Sequence, residues 1–201
     1  MGKIFMKFKQ PYKLNAGLLK LSRILAIIFA TIMVFDFGYE IIFWTFADLK
    51  KQTLFSMPVS FSFSAFRQTA DSFNILGQVT SIMRFLGWLA SLISLTALMY
   101  IYYSLNQLFS AFSKGYVFTI ENINRIKKAA KALFSLMFLT IVTNSLLTLI
   151  LSMNNPVGQR YLGITVGTAT IRDLVIALVI MVAAYVMEEG LQLEEERQLT
   201  I

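Results

Sequence analysis

Four stretches of the chain are long and apolar enough to cross a lipid bilayer, and this feature limits the fold more than any other. The hydrocarbon core of a bilayer, about 30 Å thick, requires about 20 largely apolar residues per helix. The fourth stretch has only 14 uninterrupted apolar residues, from Leu174 to Met187, so this span must include its flanks. The sequence predicts an all-α integral membrane protein, a single domain over residues 1–201 containing a four-transmembrane-helix bundle. The predicted spans cover residues 24–46, 85–109, 132–153 and 169–189.

Two missing residue types limit the chemistry. The chain contains no cysteine and no histidine, while 57% of its residues are hydrophobic and 14% are charged. Thiolate nucleophiles, imidazole bases, Cys/His zinc sites and His-ligated haem are therefore excluded. The sequence also lacks a Walker loop, a dinucleotide-binding glycine fingerprint and a nucleophile elbow. We expect a protein that is not an enzyme and that holds no cofactor and no metal.

Basic residues predict the orientation of the spans, because cytoplasmic connections carry an excess of Lys and Arg. The connection between the third and fourth spans carries only Arg160 and Arg172, and the first connection spreads four basic residues over about 37 positions. We therefore expect the N-terminal and C-terminal segments and the second connection to be cytosolic. The basic residues of the N-terminal segment and of the second connection are Lys3, Lys7, Lys9, Lys13, Lys20, Arg23, Lys114, Arg125, Lys127, Lys128 and Lys131.

The connections predicted to be external contain two strand-like patterns. Hydrophobic residues alternate with serines from Val59 to Ser64, and the segment from Tyr161 to Thr170 is rich in glycine and β-branched residues. We expect these segments to pair as a small extracytoplasmic β-like lid. Trp44 and Trp88 fall at the outer ends of the first two spans, where tryptophan normally lies at the membrane interface.

The first predicted span contains two carboxylates, Asp36 and Glu40, one turn apart on the same helix face. A charge at this depth costs about 2.5 to 3.5 kcal/mol on insertion scales, so such groups normally face the interior of a bundle. One interpretation is a proton or cation site. The other is structural: Asp36 is protonated or hydrogen-bonds a polar group such as Asn144, and Glu40 pairs with Arg84 or Arg172.

The stretch from Asn124 to Lys131 is basic, and a helix start precedes it because Thr119 can act as an N-cap with Glu121 in the first turn. This stretch could contact acidic lipid headgroups or nucleic acid, or it could simply carry the positive-inside signal. The net charge of +7 does not by itself imply nucleic acid, and we expect no direct contact with it. The candidate headgroup-binding residues are Arg125, Lys127, Lys128 and Lys131.

The segment after the fourth span is acidic, with five glutamates between Glu188 and Glu196. It could fold back onto the basic second connection by Coulomb attraction. Alternatively, it is a short docking segment for a basic partner, because apolar residues lie within the acidic run. These apolar residues are Leu191, Leu193, Leu199 and Ile201.

Two motifs resemble a bacterial membrane-protein family grouped as domain of unknown function 2975. The ending GLQLEEERQLTI is similar to the family pattern G-x-x-L-x-x-E-x-x-L-T-[IV], and GYVFTIEN is similar to G-x-x-F-[TS]-x-E-N. The resemblance implies a four-span protein of the bacterial cytoplasmic (inner) membrane, often encoded beside a small Cro-type helix-turn-helix regulator. It brings no established activity. The matching residues are Gly115, Phe118, Thr119, Glu121 and Asn122, and then Gly190, Leu193, Glu196, Leu199 and Thr200.

Two functional hypotheses follow. In the first, the protein is a non-enzymatic membrane module whose cytosolic face, formed by the two motif segments, docks a regulator or another membrane subunit, a second copy of the chain included. In the second, it is a small transporter, channel or immunity-type protein that uses Asp36 and Glu40 for a proton or a cation. The motifs favour docking, and the buried carboxylates favour transport.

Overall fold

Four long helices account for most of the described chain. The computed structural model describes residues 15–50, 53–54, 57–58, 75–164 and 168–199. Within these residues the helices are α1 (Ala16–Phe46), α2 (Ser81–Phe112), α3 (Ile120–Ser152) and α4 (Thr168–Leu199). A short antiparallel pair, β1 (Thr53–Leu54) and β2 (Met57–Pro58), lies between α1 and α2, with Thr53 opposite Pro58 and Leu54 opposite Met57. The all-helical class predicted from the apolar stretches is confirmed.

Each predicted span lies inside one of these helices, except that the third prediction runs one residue past the end of α3. At 1.5 Å per residue, helices of 31 to 33 residues are about 46 to 50 Å long, which exceeds the hydrocarbon thickness. All four are long and apolar enough to cross a membrane. Large side chains such as Val34 and Val179 are exposed in the middle of their helices, as lipid-facing residues are. The chain therefore has the features of a multi-pass membrane protein.

The chain divides into two compact units, and every helix contributes residues to both. The first unit comprises residues 1–33, 100–134 and 173–201, and the second comprises residues 34–99 and 135–172. In the first unit, Phe29 of α1 stacks on Phe109 of α2 with ring centroids 5.7 Å apart. The Asn106 side chain donates a hydrogen bond of 2.7 Å to the Ala26 carbonyl. These contacts join α1 to α2 within the first unit.

The core of the second unit is an aromatic and aliphatic cluster. Phe43 and Trp44 of α1 pack edge to face, with centroids 5.6 Å apart. Ala47 and Leu49, Ala90 of α2, and Leu147 and Leu151 of α3 also belong to this cluster, and these members are all buried. Three helices of the second unit are therefore held together by one hydrophobic core.

One of the two predicted strands is wrong where the structure describes it. Residues 161–164 form no strand, and Thr168 to Thr170 begin α4. The reason is that the backbone here bonds to side chains of α3 instead of to another strand. Tyr161 N donates to Ser152 Oγ at 2.9 Å, and Gly163 N donates to Thr148 Oγ1 at 3.0 Å. The other predicted strand, residues 59–64, lies outside the described residues, so the β-like lid is not seen in the part of the chain described.

These hydrogen bonds also hold the non-helical segment between α3 and α4 against the end of α3. The chain leaves α3 and returns alongside its last turns, so that Gly163 lies level with Thr148 before α4 begins. Part of the return is therefore made by non-helical backbone. Such backbone is tolerated at membrane depth when protein groups satisfy its hydrogen bonds, as Ser152 and Thr148 do here.

Candidate functional site

The connection between α2 and α3, which contains the first family-like motif, is a tight and fully bonded turn. Gly115 has a φ of +86°, in the left-handed region that favours glycine. Tyr116 N donates to Ala111 O at 3.1 Å, and Gly115 N donates to Phe112 O at 3.0 Å. This pair of bonds is a Schellman motif, which satisfies the last carbonyls of α2. Gly115 therefore has a structural role: it ends α2 and turns the chain.

Two further motif residues begin α3. Thr119 caps the helix, because its Oγ1 accepts a hydrogen bond of 3.2 Å from Asn122 N. The buried Asn122 side chain donates to Tyr116 O at 2.6 Å and accepts a bond of 2.8 Å from Arg125 Nη1. Asn122 thus ties the connection to the first turns of α3. Among the described residues, Asn122 is bonded to this connection and to Arg125. Thr200, which belongs to the second motif, lies outside the described residues.

A cleft of about 580 Å³, lined mostly by residues with polar side chains, opens beside this connection, within the first unit. Lys114 and Arg125 supply two cations, and Glu121 supplies one carboxylate. Amide and hydroxyl groups make up most of the remaining polar lining, which is typical of a site that binds a polar or charged group. The lining residues are Asn106, Gln107, Ser110, Ala111, Lys114, Tyr116, Thr119, Glu121, Asn122 and Arg125.

The four predicted headgroup-binding residues have different surroundings. Arg125 is bonded to Asn122 at the cleft, as described above. Lys127 forms an ion pair with Glu188 of α4, and its Nζ lies 4.4 Å from the centre of the Tyr185 ring. Lys128 and Lys131 are exposed on α3. The ion pair between Lys127 and Glu188 is one contact of the expected kind between the basic stretch and the acidic segment after the fourth span.

The second family-like motif continues α4 beyond its apolar span. The helix extends to Leu199, so the acidic segment is helical as far as this residue. Gly190, Leu193 and Glu196 are exposed, and Leu193 retains 61% of its accessible surface. In the first motif, Phe118 is 50% exposed and Glu121 is also exposed. Both motifs therefore place apolar and acidic side chains on the surface.

The second unit contains a buried carboxylate. Glu40 is 4% exposed, and its Oε1 accepts a hydrogen bond of 2.8 Å from Trp44 Nε1, one turn later in α1. The same indole nitrogen lies 3.1 Å from Ser91 Oγ of α2. Asp36 lies one turn earlier, close enough to interact electrostatically with Glu40. Trp44 is therefore a buried hydrogen-bond donor near the end of α1, and its indole contacts Glu40 and Ser91 instead of facing lipid.

Arg84, Asn144 and Arg172 were also predicted for this polar site. Arg84 donates to the carbonyl oxygens of Trp44 and Ala47, at 3.0 and 2.9 Å, and so caps the end of α1. In the part of the chain that the structure describes, the Arg84 guanidinium therefore donates to backbone carbonyls and not to the Glu40 carboxylate. Asn144 is buried on α3, and Arg172 is exposed near the start of α4.

The cleft was not predicted from the sequence. Its walls come from the end of α2 and the start of α3, and Asn106, Gln107 and Ser110 fall at or beyond the end of the second predicted span. The signal available in the sequence was a group of three polar residues, Asn106, Gln107 and Ser110, on a helix that is otherwise apolar enough to cross the bilayer. Among the described residues, no cluster of three or more Asp or Glu side chains is arranged to hold a metal ion.

Comparison with known proteins identifies a family but no characterised relative. A family model described as "Protein of unknown function (DUF2975)" matches residues 64–201, which contain α2, α3, α4 and both motifs. No curated protein and no solved structure matches the chain. Because the family model covers more than half of the sequence, the chain belongs to the DUF2975 family of proteins of unknown function.

Proposed function

We propose that this protein is a non-enzymatic, multi-pass protein of the bacterial inner membrane that docks a basic cytosolic protein on its cytosolic face. The four apolar helices support the membrane assignment. The concentration of Lys and Arg before α1 and between α2 and α3 supports an orientation with these segments in the cytosol. With four spans, the end of α4 then lies on the same side as the α2–α3 connection.

The docking proposal rests on the different roles of the residues within the two motifs. Gly115, Thr119 and Asn122 have bonds that build the turn and the helix start. Phe118 and Leu193, by contrast, expose half or more of their surface. Exposed apolar residues beside acidic ones are available for contact with a protein partner. We name Phe118, Glu121, Leu193 and Glu196 the docking surface.

Charge indicates the chemistry of the partner. Residues 188–196 carry five glutamates, and of these Glu188 is already paired with Lys127. The acidic composition of this segment gives the end of α4 a negative field that attracts a basic protein and repels an acidic one. A small helix-turn-helix regulator is basic where it binds DNA, and the acidic helix would compete there with phosphate. The regulator that the family resemblance associates with such proteins is the partner to test first.

The experiment measures binding of that purified regulator to the full chain in lipid nanodiscs. We expect binding that weakens with added salt and that is lost in a chain ending at Gly190. The charge variant Glu194→Gln with Glu195→Gln and Glu196→Gln should bind about tenfold more weakly, while Asp48→Asn, an exposed acidic position on the second unit, should bind normally. Unchanged binding after truncation would contradict the docking proposal.

A further inference from the structure

The cleft beside the α2–α3 connection lies at the depth of lipid headgroups. Counting about 20 residues from Phe85, at 1.5 Å each, spans the hydrocarbon core and ends near Ser104 of α2. Asn106, Gln107 and Ser110 follow within the next two turns. On the other wall, Arg125 lies about 10 Å of helix before Ala132, where the apolar run begins. Asn106 and Gln107 thus fall within the headgroup layer, which adds about 5 to 8 Å on each side of the core. The backbone of Arg125 lies just beyond this layer, within reach of its long side chain.

The polar groups of the cleft suit a phosphate that carries a single negative charge. Lys114 and Arg125 provide two cations, and Asn106, Gln107, Ser110 and Thr119 add amide and hydroxyl groups. Arg binds phosphate through two parallel N–H donors, and Lys binds it as a point charge. The Glu121 carboxylate on the same lining reduces the net charge to about +1 and disfavours a second negative charge.

The hydrogen bond from Arg125 to Asn122 positions this cation. Nη1 is bonded to Asn122 Oδ1 at 2.8 Å, and the Asn122 amide is itself held by the Tyr116 carbonyl. The guanidinium is therefore fixed at the cleft before any ligand arrives, which lowers the entropy cost of binding. Lys127 takes no part, since it is paired with Glu188, and Lys128 and Lys131 are not among the lining residues.

We propose that this cleft binds the phosphodiester headgroup of a glycerophospholipid, with the phosphate between Lys114 and Arg125. A phosphodiester has one negative charge, whereas inorganic phosphate and nucleotides carry more near neutral pH. The cleft volume of about 580 Å³ is sufficient for one headgroup. This proposal shares with the proposed function the membrane placement and one residue, Glu121, which lines the cleft and belongs to the docking surface. It does not require a protein partner.

Native mass spectrometry of the full chain, purified in mild detergent with phosphatidylglycerol, tests this proposal. We expect one tightly retained phosphatidylglycerol per chain. Lys114→Gln with Arg125→Gln should weaken its retention by at least about tenfold. Lys128→Gln with Lys131→Gln removes the same charge outside the cleft and should retain the lipid. Should the double cleft variant fail to fold, Lys114→Gln alone, at an exposed position, gives the same comparison.

Three results would overturn the headgroup assignment. The first is equal loss of lipid in the control variant, which would indicate a general basic surface. The second is retention of lipid in the cleft variant. The third is displacement of the lipid by an equal concentration of inorganic phosphate, which would make free phosphate the ligand. The tail variant Glu194→Gln with Glu195→Gln and Glu196→Gln should keep the lipid, so failure of the docking proposal is distinguishable from failure of this one.

Discussion

At the scale of single residues, Gly87 is required by the close packing of α2 against Trp44. A Cβ at this position would overlap the Trp44 ring atoms Cη2 and Cζ3. We expect Gly87→Ala to lower the free energy of unfolding by about 1 to 3 kcal/mol, because the indole must move from its bonds with Glu40 and Ser91. Thermal unfolding followed by tryptophan emission measures this change.

Gly38 provides the matched control for this prediction. It lies in α1, and a Cβ there would meet nothing within 4 Å. Since alanine favours helix over glycine by about 0.5 to 1 kcal/mol, Gly38→Ala should leave stability unchanged or raise it. If both alanine variants have the same unfolding temperature, the packing of Trp44 against Gly87 is not as described.

Glu40 is the residue for which the structural and functional hypotheses differ most. Its bond with Trp44 and its contact with Ser91 account for its burial without a transported ion. Glutamine can still accept from the indole, so we expect Glu40→Gln to keep both membrane abundance and any growth phenotype. Glu40→Ala leaves the Trp44 N–H without this acceptor and should cost about 1 to 3 kcal/mol.

Membrane abundance and phenotype, measured together, decide between these hypotheses. The structural role predicts that abundance and phenotype fall together in Glu40→Ala and that both persist in Glu40→Gln. A pH-dependent flux that disappears in Glu40→Gln and Asp36→Asn at full abundance would instead establish the transport hypothesis.

At the scale of secondary structure elements, Lys127 and Glu188 join α3 to α4. Both side chains are largely but incompletely buried, at 17% and 26% exposure, and the Tyr185 ring lies beside the ammonium group. Ion pairs that are partly open to solvent contribute little, so we expect a coupling energy of up to about 1 kcal/mol. A double-mutant cycle with Lys127→Gln and Glu188→Gln measures it. Strictly additive effects of the two substitutions would show that this pair does not join the helices.

The extents of the helices could be predicted in part from sequence. Apolar length located the spans, because the thickness of the bilayer is a fixed physical requirement. It could not give the helix ends, since polar turns such as Ile120 to Lys131 and Gly190 to Leu199 continue α3 and α4 outside the apolar core. The strand-like pattern after α3 was misleading because the backbone N–H groups of Tyr161 and Gly163 bond to Ser152 and Thr148 of α3 instead of to another strand.

The candidate site, like the helices, could be predicted only in part from the sequence. The motif residues Thr119 and Asn122 were identified as important, and the cap at Thr119 was expected from its spacing to the helix start. The cleft was not, because it depends on which side chains of two helices face each other. The burial of Trp44 was missed for the same reason: its partners Glu40 and Ser91 are contributed by two different helices.

At the scale of the whole molecule, the docking proposal requires the α2–α3 connection and the end of α4 to lie on one side of the membrane. The docking surface includes residues of both segments, and the basic residues that predict their orientation lie before α1 and between α2 and α3. An orientation with these segments in the cytosol places the loop after α3, which contains Val157, outside.

The chain has no native cysteine, so single introduced cysteines report this topology without interference. The positions to substitute are Asn124, Gln192 and Val157, which are all exposed, Val157 by 93%. A membrane-impermeant maleimide applied to intact cells without their outer membrane should label the Val157 variant. It should label the Asn124 and Gln192 variants only after the membrane is permeabilised. Labelling of Asn124→Cys or Gln192→Cys in intact cells, or protection of Val157→Cys, would contradict the membrane orientation on which the account depends.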